Sequence, residues 1–187
     1  MSAILTHIEI SEAAAAHRRN LPYTANARLG ANHLSRLYQS MLDNPQSSVI
    51  VAREQDRIIG LIAGTKSVEN LKKAIFSGYG FFNLIKLFFR LLLSPGLVLQ
   101  LGREIYHTRS LEDSAYLTVL FVEPDQRKHG IAAKLLQSLE FFFRELGVKE
   151  YGVDTTSSNA IARAFYQRYH FQVISEKSGN IYFRKKL

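Results

Sequence analysis

Between Val122 and Ala133 the chain reads Val-Glu-Pro-Asp-Gln-Arg-Lys-His-Gly-Ile-Ala-Ala, a polar and basic stretch leading from a strongly apolar run into a helical pattern. A strand that hands over to a helix through such a loop makes an anion site. The first backbone N–H groups of the helix have no intrahelical acceptor, and the helix dipole adds positive potential at the same end. Gly130 and the small Ala132 let a phosphate come close to the backbone, while Arg127 and Lys128 add positive charge at the rim. An ordinary basic loop with a glycine near a helix start has the same composition, so this segment alone does not choose between the two.

The elements that would position this loop follow from periodicity. Tyr116 to Val122 reads as a buried strand, Gly130 to Leu146 as a helix closed by Gly147, and Val148 to Asp154 as a strand. Ser158 to Tyr169 follows as a helix. Phe171 to Glu176 and Ile181 to Arg184 are strands joined through Ser178-Gly179-Asn180 as a hairpin. Upstream, Ile4, Leu5, Ile8 and Ile10 suggest a first strand, with Ser11-Glu12 capping a helix over Ala13 to Arg19. A break at Leu21-Pro22-Tyr23-Thr24 precedes a second helix over Leu29 to Leu42. Ser48 to Arg53 and Arg57 to Thr65 form a hairpin. Strands alternating with helices and ending in paired strands predict an α/β (α+β) fold, with a mixed sheet carrying helices on its faces.

The segment 68–107 differs in kind. On a helix, Asn83, Lys86 and Arg90 share one narrow stripe, and nearly every other position from Phe81 to Leu93 is apolar. Lys86, Arg90 and Pro95-Gly96 argue against a membrane span. Three readings stay open for this apolar helical insert: burial in the domain or in a homodimer, a wall of an apolar substrate pocket, or peripheral membrane contact through 81–101.

Composition sets the outer limits. The chain has 187 residues, enough for one domain with an elaborated loop, so 1–187 is read as a single domain containing the insert. There is no cysteine, which excludes disulfides, zinc–thiolate sites and a cysteine nucleophile. No metal site is expected. Lys and Arg number 24 against 16 Asp and Glu, a net charge of +8. Such a surface suits a phosphate-rich ligand, an anionic membrane or nucleic acid. The aromatic residues cluster in apolar stretches instead of interleaving with the basic ones, so a nucleic-acid partner is not expected. The N-terminus lacks a basic stretch followed by an apolar one, and the expected location is cytoplasmic.

The run Val122-x-Pro124-x-x-Arg127-x-x-Gly130-x-Ala132, followed by Leu135-Leu136, resembles the pyrophosphate-binding motif of the GNAT superfamily of N-acetyltransferases. Asn159, Ala162, Phe165 and Tyr166, then Tyr169-His170-Phe171, resemble that family's next motif, in the right order and with a helix and strand between. The clear likeness covers residues 114–175. It implies a mixed, mostly antiparallel central sheet flanked by helices, with acetyl-CoA as acyl donor. The backbone of Leu120, Phe121 and Val122 would bind the pantetheine arm, and Arg127, Lys128, His129, Gly130, Ile131, Ala132 and Ala133 the pyrophosphate. The same resemblance implies that Asn159 touches the cofactor arm and that Tyr166 protonates the departing thiolate; a core tyrosine packing its helix is the other reading. Asp154, ending the strand before Asn159, is the leading candidate for the base that frees the amine, with a loop or capping carboxylate as the alternative. Glu123 is the weaker candidate.

Two positions depart from the family pattern: Ala132 stands where glycine is more common, and His170 replaces a glycine after the helix, where strain is expected. His129 and His33 read as surface residues. The expected activity is transfer of an acetyl group to a primary amine of a small molecule or amino sugar. The alternatives are a longer-chain acyl-CoA N-acyltransferase that uses the insert, or a non-catalytic CoA-binding module.

Overall fold

The computed structural model describes residues 2–77 and 114–187. A short strand β1 (Ser2–Ile4) leads through a 3-10 turn, His7–Glu9, into α1 (Ile10–Asn20), α2 (Ala25–Arg28) and α3 (Ala31–Leu42). The hairpin β2 (Ser47–Glu54) and β3 (Arg57–Thr65) precedes α4 (Val68–Ser77). Then come β4 (Ala115–Val122), a 3-10 turn at Pro124–Gln126, α5 (Ile131–Glu145), β5 (Glu150–Thr156), α6 (Ala160–Arg168), β6 (Gln172–Lys177) and β7 (Asn180–Lys186). The strands form one sheet in the order β1-β2-β3-β4-β5-β7-β6. Every described neighbouring pair is antiparallel except β4 with β5. Of the apolar insert, α4 is described, and the Phe81 to Leu101 stretch lies outside the described residues.

Strand alternation divides the core into two layers. Val49, Val51, Leu61, Ala63, Val119 and Phe121 face α1 and α3. Ile50, Ile62, Leu117, Val153 and Phe183 face α5 and α6. Glycines in β3 bring α5 close to the sheet. A Cβ on Gly60 would stand 3.2 Å from side-chain carbons of Ile131 and Leu135, and one on Gly64 would stand 2.8 Å from Phe143.

The first strand is shorter than the apolar pattern suggests. Ile8 lies in the 3-10 turn at 92% exposure, and Ile10 opens α1 and is buried. Thr6 and Glu9 form a capping box that stops the strand: the Thr6 backbone N–H donates to Glu9 Oε2 at 2.9 Å. Ser11 and Glu12 therefore sit inside the helix, where Glu12 Oε1 accepts from the Ile58 N–H at 2.7 Å. Other boundaries agree to within two residues. Gly147 ends α5 with φ +71°, and Ser178 and Gly179, with φ +53° and +81°, close the β6–β7 hairpin as a two-residue turn of the primed kind. His170 takes the left-handed conformation expected to strain it, with φ +65°.

A buried polar cluster ties the N-terminal helices together. His17, 1% exposed, shares a 2.8 Å hydrogen bond between Nδ1 and the Tyr38 hydroxyl and one of 3.3 Å between Nε2 and Thr24 Oγ1. His33 is half-buried, not a surface residue, with Nε2 3.0 Å from Asn26 Oδ1. Burial, and then the neighbouring His33, pushes the His17 imidazole down to about 4; burial, and then Arg36, does the same to His33. The folded state thus keeps His17 neutral while the unfolded chain takes up a proton from about pH 6.5 downward, so stability falls as the pH drops through that window. Between pH 7 and pH 4.5 the wild type should lose about 2 kcal/mol more unfolding free energy than His17→Gln. Urea titrations of both proteins at the two pH values test this, and equal losses would show that His17 is not the titrating group.

Candidate active site

The site begins where β4 and β5 part. Their pairing covers only Ala115 with Tyr151 and Tyr116 with Gly152. Beyond that point β5 stays paired with β7 through Thr156, and β4 stays paired with β3 through Val122. The edge of β4 that faces β5 therefore carries no strand partner from Leu117 to Val122 among the described residues. A bulge lies at the fork: Ala63 pairs with Val119 and Gly64 with Leu117, leaving Thr118 over, its Oγ1 donating to the Ala63 carbonyl at 3.1 Å. Leu120, Phe121 and Val122, expected to hold a cofactor arm through their backbone, all lie on this open stretch. Phe121 and Val122 bury their side chains, so their main chain is what they offer.

At the far end of β4 the loop bends over Pro124–Gln126, and Arg127 turns back to donate its Nε–H to the Val122 carbonyl at 3.0 Å. Lys128 and Gly130 both take positive φ, +68° and +76°. The first hydrogen bond of α5 runs from the Lys134 N–H to the Gly130 carbonyl at 3.1 Å, and no side chain caps the helix. The N–H groups of Ile131, Ala132 and Ala133 are thus left to an external acceptor. Arg127, Lys128, His129 and Gly130 are exposed, and a Cβ on Gly130 would meet nothing within 4 Å. Unpaired donors, open space and basic rim fit a pyrophosphate. Ala132 is half-buried against the core, and α5 begins beside it regularly.

At the fork, the Tyr116 hydroxyl donates to Asp154 Oδ1. Gly152 makes room for this: a Cβ there would stand 3.1 Å from the Tyr116 ring. Tyr166 is 6% exposed, its ring packed against Phe171, Phe183 and Phe165 at centroid distances of 5.2, 5.4 and 5.7 Å. Burial, then the Asp154 charge, then Tyr23 hold its phenol well above the usual range, so it keeps its proton at neutral pH. Tyr116 is shifted upward by burial and then by the same carboxylate. Tyr116 is the site residue that the sequence reading missed. Its signal was the glycine in β5, which a neighbouring strand's aromatic ring can cover.

Asn159 caps α6: its Oδ1 accepts from the Ala162 N–H at 3.1 Å, and its Nδ2 donates to Thr155 Oγ1 at 3.2 Å. This places Asn159 on the loop that follows Asp154, with both ends of its amide engaged locally. Glu123 lies elsewhere. It is 3% exposed, bonded to Arg19 at 2.5 Å, with Arg57 at 3.8 Å. Along β4 it is roughly 16 Å beyond Thr118, at about 3.3 Å per residue. It anchors the C-terminal end of α1 to the end of β4 and does not join Asp154 and Tyr166. His129 is exposed, as expected.

A family model described as the acetyltransferase (GNAT) family matches residues 14–171. The chain belongs to that family. Its sheet and flanking helices are those of the family fold. Over 73 residues it is 32% identical to the aminoglycoside N(6')-acetyltransferase type 1 of Acinetobacter baumannii, a match covering 39% of this chain and 48% of that protein. The match thus spans about half the length of that relative. The PaiA N-acetyltransferase of Thermoplasma acidophilum, solved with coenzyme A, superposes with a TM-score of 0.68 at 13% identity, over 100% of this chain and 98% of that one. The yncA structure from Salmonella typhimurium, solved with acetyl-CoA, has a TM-score of 0.62 at 13% identity, covering 100% and 93%. These two share the fold.

Gly130→Ala adds a methyl group at a left-handed position on the open side of the helix start. It should cost about 1 kcal/mol of stability through backbone strain. Coenzyme A affinity should fall by about tenfold or more, since the methyl stands where a phosphate would approach. Thermal melts and calorimetric titration read the two effects separately, and undiminished affinity would remove Gly130 from the anion site.

Proposed function

We propose that this chain transfers an acetyl group from acetyl-CoA to a primary amine of a small molecule. The observation that carries this reading is the open edge of β4, which runs from three unpaired helix N–H groups at one end to Asp154 and Tyr166 at the other. Its length of roughly 16 Å from Thr118 to Glu123 suits an extended pantetheine arm lying as an added strand between a pyrophosphate and a thioester. In this reading acetyl-CoA supplies an activated acyl group, and the chain supplies position and protons.

The acceptor nitrogen can attack only as a neutral amine, so its ammonium must first lose a proton. Asp154 is the carboxylate at the fork and takes that role, directly or through water. The nitrogen then bonds to the thioester carbon and the carbon–sulfur bond breaks. The departing thiolate receives a proton, and in this reading Tyr166 gives it, supported by its fixed aromatic packing and by the burial that keeps it protonated. In this reading the backbone N–H groups of the open β4 edge serve as donors to the developing oxyanion.

Tyr166→Phe should lower kcat by about 10²-fold while leaving KM for acetyl-CoA within about threefold. Asp154→Asn should flatten the acidic limb of the kcat/KM profile. Thiol release measured across pH with acetyl-CoA, and with a long-chain acyl-CoA beside it, checks both. An unchanged rate for Tyr166→Phe would assign the proton to another donor, and preference for the longer chain would replace the acetyl donor in this reading.

A further inference from the structure

The carboxylate at the fork is gripped by a side chain from the neighbouring strand. Tyr116 and Gly152 are the last paired residues of β4 and β5, and Asp154 lies two positions further along β5. A period of two turns Gly152 and Asp154 to the same face, opposite to Tyr151 and Val153, which pack in the layer of α5 and α6. Two residues of strand span about 6.6 Å. The Tyr116 ring lies over Gly152, where a Cβ would stand 3.1 Å from the ring carbons Cδ2 and Cε2. Its hydroxyl reaches across the span and donates to Asp154 Oδ1. Tyr116 is 6% exposed, so the ring has little room to swing away.

Titratable groups face Asp154 from three elements: Tyr116 from β4, Tyr182 as its cross-strand partner on β7, and Tyr166 from α6. A neutral phenol favours an ionised carboxylate only by donating a hydrogen bond to it, and Tyr116 makes that bond. Burial, and then the Asp154 charge, hold the Tyr116 phenol above its usual range, so it stays a donor at neutral pH. A serine or threonine hydroxyl could rotate to another acceptor, whereas a phenol on a fixed ring keeps one direction. Asp154 is half-buried, and partial burial disfavours a bare carboxylate. The Tyr116 hydroxyl acts against that effect at the place where a base is required.

We propose that Tyr116 is a positioning residue of the transfer: its hydroxyl keeps the Asp154 carboxylate ionised and fixed at the fork, where it takes the proton of the acceptor ammonium. This rests on the acetyl-transfer reading above and gives a part in it to a residue that acts through Asp154. Without the bond, Asp154 holds its own proton more tightly, and the fraction able to serve as base falls at a higher pH.

Carbon-13 NMR of the Asp154 carboxyl carbon, assigned by its loss in Asp154→Asn, reads the titration without any substrate. Tyr116→Phe keeps the ring and removes the donor, and should raise the midpoint by about one pH unit. Gly152→Ala, whose methyl displaces the ring, should move it in the same direction. The acidic limb of kcat/KM for thiol release from acetyl-CoA should rise with the midpoint, with 2-phenylethylamine, spermidine and an aminoglycoside as acceptors. KM for acetyl-CoA should stay within about twofold. A midpoint unchanged in Tyr116→Phe would overturn the proposal and leave acetyl transfer standing. A midpoint that moves while the acidic limb does not would reduce the bond to a structural one and send the search for the base elsewhere. Thiol release with none of the three amines would overturn the transfer reading itself, whatever the carboxyl titration shows.

Discussion

The rest of the site depends on the parting of β4 from β5 after a single pair of cross-strand steps. Each strand is held by its other neighbour: β4 by β3 as far as Val122, and β5 by β7 as far as Thr156. The bulge at Thr118 adds local twist to β4 at the point where the strands separate. What remains between them is an edge of main-chain donors and acceptors in the middle of a sheet, where protein usually satisfies them. Such an edge favours a ligand whose own amides repeat along an extended chain. Each hydrogen bond recovered is worth about 1 kcal/mol net, and more where water is excluded. The fork also gathers side chains from separate elements, because whatever stands at the apex of a split sheet faces both strands and the helices above them.

Helix α5 completes the frame. Its first turn points unpaired N–H groups at the open end only because the helix lies close against β3, which Gly60 and Gly64 permit. A side chain at either glycine would press on Ile131, Leu135, Leu139 or Phe143 and move the helix start relative to the β4 edge. Two glycines in a strand are a poor choice for sheet stability alone. Their presence fits a requirement for a fixed distance between anion site and fork. At the other side of β4, the buried Glu123 pairs with Arg19 and keeps α1 tied to the strand end, so the N-terminal helices move with the site.

Most elements could be read from the sequence because burial sets their period. The continuous apolar runs of β2 and β3 reflect strands buried on both faces, and the 3.6-residue rhythm of α3 and α5 reflects one face turned to the core. The anion loop was readable for a different reason: a helix start and a basic rim are local features, written within a dozen residues. Where the sequence reading fell short, the determining contact was long-range or a single residue wide. The Thr6–Glu9 capping box ends β1 within an apolar pattern that would otherwise continue. The bulge at Thr118 reverses the faces of Leu117 and Val119 without any mark in Tyr-Leu-Thr-Val-Leu-Phe-Val. Tyr116 meets Asp154 across 38 positions of sequence, and His17 meets Tyr38 across 21. Neither pair shares a local motif.

The tyrosines at the fork constrain how protons can move in the proposed reaction. Burial and the single carboxylate hold Tyr116 and Tyr166 protonated, so neither is suited to take a proton from the incoming ammonium. Acid and base roles are therefore divided between different groups by their surroundings. Of the two protons that the acceptor nitrogen loses, the first must leave before attack, and in the proposed reaction Asp154 would pass it to solvent. The second is matched by the one that the thiolate gains. A phenol with a raised pKa is a weaker acid than a thiol, so transfer from Tyr166 to sulfur is uphill by itself and must be coupled to carbon–sulfur cleavage. In the proposed reaction Tyr166 would donate late, as charge develops on sulfur, and stay neutral while the thioester is intact. A carboxylate beside phenols that burial keeps neutral would thus give the two proton steps of the proposed reaction their order.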